Sequence, residues 1–163
     1  IKLANEINNN KTLYYGFDLF ENISSNKIYK EASKKPLKLE LLKKKIEKIN
    51  SKKRTYLIKG DTIKSLKTFS KKKKIIDFIF IDGGHSLKTI KSDWNNIKKL
   101  INKKSEVVFD DYYHDDSLSQ KFGCKKLIDN LSKKYVVDIL QSNDHAIVDT
   151  KKIKNSLVSV KLR

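Results

Sequence analysis

The segment Ile75–Ile81 (IIDFIFI), followed at once by Asp82-Gly83-Gly84-His85, constrains the fold more than any other part of the chain. Its β-branched and aromatic residues are interrupted only by Asp77. A strand with one wet face alternates apolar with polar residues, whereas a near-continuous apolar run is buried on both faces. Such a strand belongs at the centre of a parallel sheet. Three more β-type runs surround it in sequence: Leu13–Phe17 ending at Asp18, Thr55–Lys59 closed by Gly60-Asp61-Thr62, and Glu106–Phe109 ending at Asp110-Asp111. Between them, apolar residues recur at three- and four-residue steps, the stripe of an amphipathic helix. Leu39, Leu42, Ile46 and Ile49 make one stripe, with Pro36 where the helix begins. Ile63, Leu66 and Phe69 make a short one, and Leu87, Ile90, Trp94, Ile97 and Ile101 a long one. Ile1–Asn10 reads as the end of a helix, and Cys124–Leu131 as another. Asn22–Lys35 lacks periodicity and reads as a loop, and Lys71–Lys74 as a solvated connector. Tyr135–Leu140 and His145–Asp149 read as a hairpin turning at Gln141–Asp144.

Strands alternating with helices predict an α/β fold: a mostly parallel sheet with right-handed crossovers and a C-terminal antiparallel hairpin. With 163 residues there is room for one domain, residues 1–150, and a tail, 151–163, whose only pattern is Leu157-Val158-Ser159-Val160. A single cysteine, Cys124, excludes an internal disulfide framework and a Cys-x-x-Cys zinc site. No apolar run reaches the roughly 18 residues of a membrane span, so the expected compartment is the cytoplasm. Met is absent and the chain opens in mid-pattern, the mark of a piece of a longer protein. The net charge of +18 invites a nucleic-acid reading. Of the 37 basic residues, however, only Arg54 and Arg163 are arginine, the residue that phosphate and base readers recruit for its bidentate fork. A solvated lysine surface is the simpler account, and no nucleic-acid partner is expected.

In an open α/β sheet, ligands bind beyond the carboxyl ends of the strands. Four successive predicted strands end there in acid: Asp18, Asp61, Asp82, then Asp110 with Asp111. Any one of these could be a helix N-cap. Four on one rim exceed that explanation, because neighbouring strands lie only about 4.8 Å apart. Crowded carboxylates repel unless a cation sits among them, and an all-oxygen set suits a hard ion such as Mg²⁺.

The run FIFIDGGHSLKTIKSDWNNIKKLI…SEVVFDDYY resembles class I S-adenosylmethionine-dependent methyltransferases. More closely, it is similar to the metal-dependent small-molecule O-methyltransferases, the macrocin and mycinamicin sugar methyltransferases among them. YYGFDLFE resembles the second strand of that Rossmann-like fold, and IKGDTIKSL its third strand with the loop beside the adenine. The resemblance covers residues 1–150 and implies helices on both faces of the sheet. It assigns Asp18 to the ribose hydroxyls of S-adenosylmethionine and Asp61 to the adenine amino group or its loop. It further assigns Asp82, Asp110 and Asp111 to Mg²⁺, with Asp82 also bordering the cofactor, and His85 to the general base. The acceptor it implies is a small-molecule hydroxyl, that of a sugar for instance. The family's first strand and glycine-rich loop have no counterpart in this chain. Their place lies between the strands ending at Asp18 and Asp82, so unpaired edges are expected beside the site and the chain alone is expected to be poorly stable.

Other residues have simpler readings. His114 is a second candidate base or substrate contact, and His145 is more simply structural. Trp94 and Cys124 read as core, and Asp93 as solvent-facing or supporting the Asp82 loop. Tyr112 and Tyr113 wall a pocket or pack an edge, and Asp115 and Asp116 read as loop. Two rival functions remain at this level: a basic module binding nucleic acid or an anionic surface, and a catalytically inactive methyltransferase-like scaffold.

Overall fold

The computed structural model describes residues 2–7, 11–31, 37–49, 54–140, 145–148 and 151–163. Strand β1 (Tyr14–Asp18) runs parallel to β2 (Thr55–Lys59), with Asp18 opposite Lys59. Strand β3 (Phe78–Ile81) runs parallel to β4 (Glu106–Tyr113), with Ile81 opposite Phe109. Helix α1 (Lys2–Ile7) precedes β1, and α2 (Ser25–Lys30) and α3 (Leu39–Glu47) separate β1 from β2. Helix α4 (Thr62–Ser70) starts where the Asp61 carboxylate accepts from Ile63 N, and buries Leu66 and Phe69. Helix α5 (Leu87–Ile97) starts where Ser86 Oγ accepts from Thr89 N, and buries Ile90, Trp94 and Ile97. Both starts are side-chain N-caps that satisfy otherwise orphaned amides. Two short helices follow β4, α6 (Asp116–Ser119) and α7 (Lys125–Ile128).

The core gathers around Val107, Phe109, Val158 and Val160, none of them measurably exposed. Trp94 lies in it as expected, its ring 5.7 Å from Phe109 and 5.2 Å from Tyr135. Cys124 is equally buried.

Four expectations change. The 75–81 run is a strand only from Phe78, and it is not central. Among the described residues β3 pairs only with β4 and β1 only with β2, giving two separate sheets. Ile79 and Ile81 turn toward the core, but Phe78 and Phe80 are 59 % and 50 % exposed, because no described element covers that face. Second, the loop expected at Asn22–Lys35 contains α2, capped by Ser24 Oγ accepting from Lys27 N. Third, β5 (Tyr135–Leu140) and β6 (His145–Val148) do not pair with each other. Each pairs antiparallel with β7 (Lys151–Leu162), so the terminal hairpin is β6–β7. The turn expected at Gln141–Asp144 lies outside the described residues. Fourth, the supposed tail is β7, twelve residues that separate β4 from β5 in the sheet order β3-β4-β7-β5. Among the described residues, no helix is long and apolar enough to cross a membrane.

Asp93 is not solvent-facing. It is 3 % exposed on α5, and its Oδ1 has no hydrogen-bond partner among the described residues. Burial pushes its carboxyl up to about 6, against a hydrogen bond from Thr62. The folded protein therefore holds this proton to higher pH than the unfolded chain does. Its stabilising share is complete below the ordinary value of 3.8 and is lost as pH rises through about 6. Above that, the buried charge costs about 3 kcal/mol. Asp93→Asn is expected to gain about 1–3 kcal/mol at pH 7.5, less whatever the new amide loses for want of a partner. The gain should vanish near pH 4. Urea unfolding at both pH values measures it, and equal gains at the two would contradict the assignment.

Candidate active site

The carboxyl ends of β1 to β4 open on a cleft of about 450 Å³. Asp18, Asp61, Asp82, Asp110 and Asp111 all line it, together with His85 and Lys27. Asp18 ends β1, Asp82 follows β3 and Asp61 caps the helix after β2, whereas Asp110 and Asp111, expected at the end of a strand, lie inside β4, just past the last residue paired with β3.

Within the cleft the acids are not equivalent. Asp82, His85 and Asp111 each present one potential ligand atom, and these atoms lie within 4.8 Å of one another. His85 Nε2 stands 3.1 Å from Asp111 Oδ2. Asp110 takes no part in that trio. Its Oδ1 accepts from Asp111 N at 2.7 Å and faces Asn155 Nδ2 at 3.4 Å.

A strand defect brings Asp110 and Asp111 to the same rim. Successive residues of a regular strand face opposite sides. Here β4 pairs Phe109 with Val158 and Tyr112 with Ser156, so two β4 residues stand opposite one on β7. This is a β-bulge, which bends the strand and redirects its side chains. Asp111 completes it in the left-handed region, at φ 61°. Its Oδ1 accepts from Tyr113 Oη at 2.9 Å and faces Asn155 Nδ2 at 3.4 Å. Burial raises the Asp111 carboxyl above the usual range; the neighbouring His85 and the Tyr113 hydrogen bond oppose it. Burial and the facing Asp111 push the Tyr113 hydroxyl up as well.

The segment after α6 fastens these parts. Gly123 N donates to His85 O at 2.9 Å and Cys124 N to Asp111 O at 3.0 Å. Ser86 and Phe122 form a β-bridge. Gly123 has φ 77°, and a Cβ on it would lie 2.3 Å from Asp111 O. Only glycine fits there.

At the other end, Asp18 Oδ1 accepts from Phe20 N at 2.8 Å, and Gly60 N donates to Asp18 O at 2.9 Å. Asp61 caps α4 with one oxygen and pairs with Lys27 through the other. Burial works to raise its carboxyl, but the bonds from Lys27 and Ile63 N outweigh it and leave it below the usual range. Asp61 is thus an N-cap as well as a cleft residue.

His114 is not among the trio; its Nε2 lies 3.0 Å from Ser156 Oγ, and its ring meets the edge of Tyr112. Tyr112 Oη donates to Asp129 instead of facing the cleft. Asp115 caps α6 by accepting from Leu118 N, and Asp116 pairs with Lys125. Sequence reasoning passed over Lys27, Gly123 and Asn155. Gly123, next to an apolar stripe, carries a weak signal; Asn155 carries none, because its role depends on the bulge opposite it.

No curated protein sequence matches the chain. Solved structures do resemble it. The O-methyltransferase from Bacillus cereus in complex with SAH superposes with a TM-score of 0.57 at 15 % identity, over 98 % of this chain and 78 % of that one. TomG from Streptomyces achromogenes, an O-methyltransferase of tomaymycin synthesis in complex with SAM, gives 0.58 at 12 %, over 99 % and 78 %. CalS11, a TDP-rhamnose 3'-O-methyltransferase of calicheamicin biosynthesis, gives 0.53 at 13 %, over 99 % and 64 %. At such identities the likeness is one of fold. The profile of a methyltransferase domain matches residues 2–112, which include β1 to β3, β4 through its bulge, and all five acids. By that match, over more than half its length, the chain belongs to the methyltransferase domain family.

Proposed function

We propose that the protein is an S-adenosylmethionine-dependent O-methyltransferase that methylates a hydroxyl of a small molecule, with His85 as base and a divalent cation held by the cleft acids. The observation that carries this reading is the bulge-placed Asp111 beside His85, with Asp82 within reach of both. S-adenosylmethionine bound in the cleft would supply the methyl group, released from its sulfonium to the acceptor oxygen.

His85 would donate its Nε2–H to Asp111 Oδ2, 3.1 Å away, and accept the hydroxyl proton at Nδ1; the carboxylate would hold the ring in place and favour the imidazolium that results. Asp18, at the end of β1, is available to the ribose hydroxyls. Asp61 would border the adenine while capping α4.

The donor set fits a divalent ion: two carboxylates and an imidazole converge, and carboxylate crowding is what an ion relieves. With His85 left free as base, Asp82 and Asp111 would hold Mg²⁺ with Asp110 beside them, an oxygen set that suits this hard cation. Its contribution when bound would be charge stabilisation of the acceptor oxygen. The sugar is the acceptor that the resemblance favours, and CalS11 acts on one.

The test is a titration of the full-length protein with Mn²⁺ as a paramagnetic substitute. Asp82→Asn and Asp111→Asn should each weaken binding by about tenfold or more, and Asp110→Asn by less. Unchanged binding in both of the first two would remove the metal from the mechanism.

A further inference from the structure

The backbone of the His85 loop is held from a direction the proposed mechanism does not use. Glu31 stands at the C-terminal end of α2, 9 % exposed, and its three oxygens each accept from the window 85–89. Its Oε2 accepts from Ser86 N at 2.9 Å, its Oε1 from Thr89 Oγ1 at 2.8 Å, and its carbonyl from His85 N at 3.3 Å. His85 is thereby gripped on both sides, its amide by Glu31 and its carbonyl by Gly123.

The glycine at position 84 is explained by the same contact. A Cβ there would lie 2.7 Å from Glu31 Oε2 and 3.0 Å from both its Cδ and Thr89 Cγ2. Gly84 thus makes room for the carboxylate to reach the amides at the start of α5. An anion is favoured at that point by the helix dipole, which adds to the Ser86 cap. Lys27 of α2 and Ile23, just before its cap, line the cleft, and Lys27 pairs with Asp61. One short helix therefore joins the wall of the cleft beside Asp61 to the loop that carries His85.

We propose that Glu31 is a positioning residue for His85, setting the imidazole opposite Asp111 through the 85–89 segment. This rests on the reading of His85 as base. What matters is the reach of a two-bond acceptor, because Ser86 N and Thr89 Oγ1 are engaged by different oxygens. A displacement of about 1 Å at a reacting group can cost 10²-fold in rate, so loosening this anchor acts on turnover.

The experiment compares Glu31→Gln with Glu31→Asp in the full-length protein. Glutamine keeps the reach, with its oxygen on Ser86 N and its amide donating to the Thr89 hydroxyl, and should stay within about threefold of the parent kcat. Aspartate keeps the charge but is one methylene short, and should lose about tenfold or more in kcat with KM for S-adenosylmethionine nearly unchanged. The imidazole resonances of His85, recorded by ¹⁵N NMR, should stay sharp in Glu31→Gln and broaden or shift in Glu31→Asp. The idea is overturned if Glu31→Asp keeps parent resonances and kcat, or if Glu31→Gln is the more damaged of the two. A disturbed His85 signal in Glu31→Asp, with a rate that His85→Ala also leaves untouched, would keep the positioning role while removing His85 from the chemistry.

Discussion

His85→Ala in the full-length protein is expected to lower turnover by about 10²–10⁴-fold, the usual worth of a positioned general base. The side chain is poised for that work, with Nε2 3.1 Å from Asp111 Oδ2 and its backbone tied at both ends. Cofactor affinity should change little, because Asp18 and Asp61, the acids proposed for ribose and adenine, are outside the His85 trio. Asp111→Ala should produce a loss of similar size and also weaken Mn²⁺ binding, since this carboxylate both orients the ring and belongs to the ligand set. Single-turnover rates decide the matter. A His85→Ala rate within a factor of two of the parent would leave the imidazole without a part in proton transfer.

Gly123→Ala is expected to damage folding and activity together. The position has φ 77°, which costs an L-residue about 1–2 kcal/mol. The added Cβ would also fall 2.3 Å from Asp111 O and 2.7 Å from the Tyr113 ring. Backbone cannot yield as a flexible side chain does, so the bulge that aims Asp111 must shift. Thermal unfolding should register a clear loss of stability, and the surviving folded protein should turn over about 10²-fold more slowly. Gly83→Ala is the control: its Cβ would meet only Asp93 Oδ2, at 3.8 Å, an ordinary contact. Equal stability of the two variants would show that the 121–124 segment does not hold the site.

The parts of this molecule that depend on near neighbours in sequence were legible without coordinates. Strands β2 and β5 fall on the residues their composition indicates, and α4 and α5 follow their apolar stripes from Asp61 and Ser86. The acids expected at strand ends did reach one cleft, although Asp110 and Asp111 do so from inside β4 and not from its end. The short α2 was missed for want of an apolar stripe; its cap, Ser24, was the available signal.

What depends on distant partners was not legible. The apolar run at 75–81 reads as central, yet how much of a strand is covered depends on which strands flank it, and among the described residues β3 has one flank and one face open. β7 looks like a tail because its neighbours β4, β5 and β6 are contributed by separate stretches of the chain. The two consecutive acids after Phe109 would face opposite ways on any regular strand. They share a rim because β7 offers one residue where β4 offers two, a mismatch of pairing that exists only once both strands are in place. Local periodicity and capping, governed by contacts three or four residues apart, are written in the sequence itself; the aim of Asp111 toward His85 is settled by strand register and by Gly123 packed beneath it, and so only by the tertiary structure.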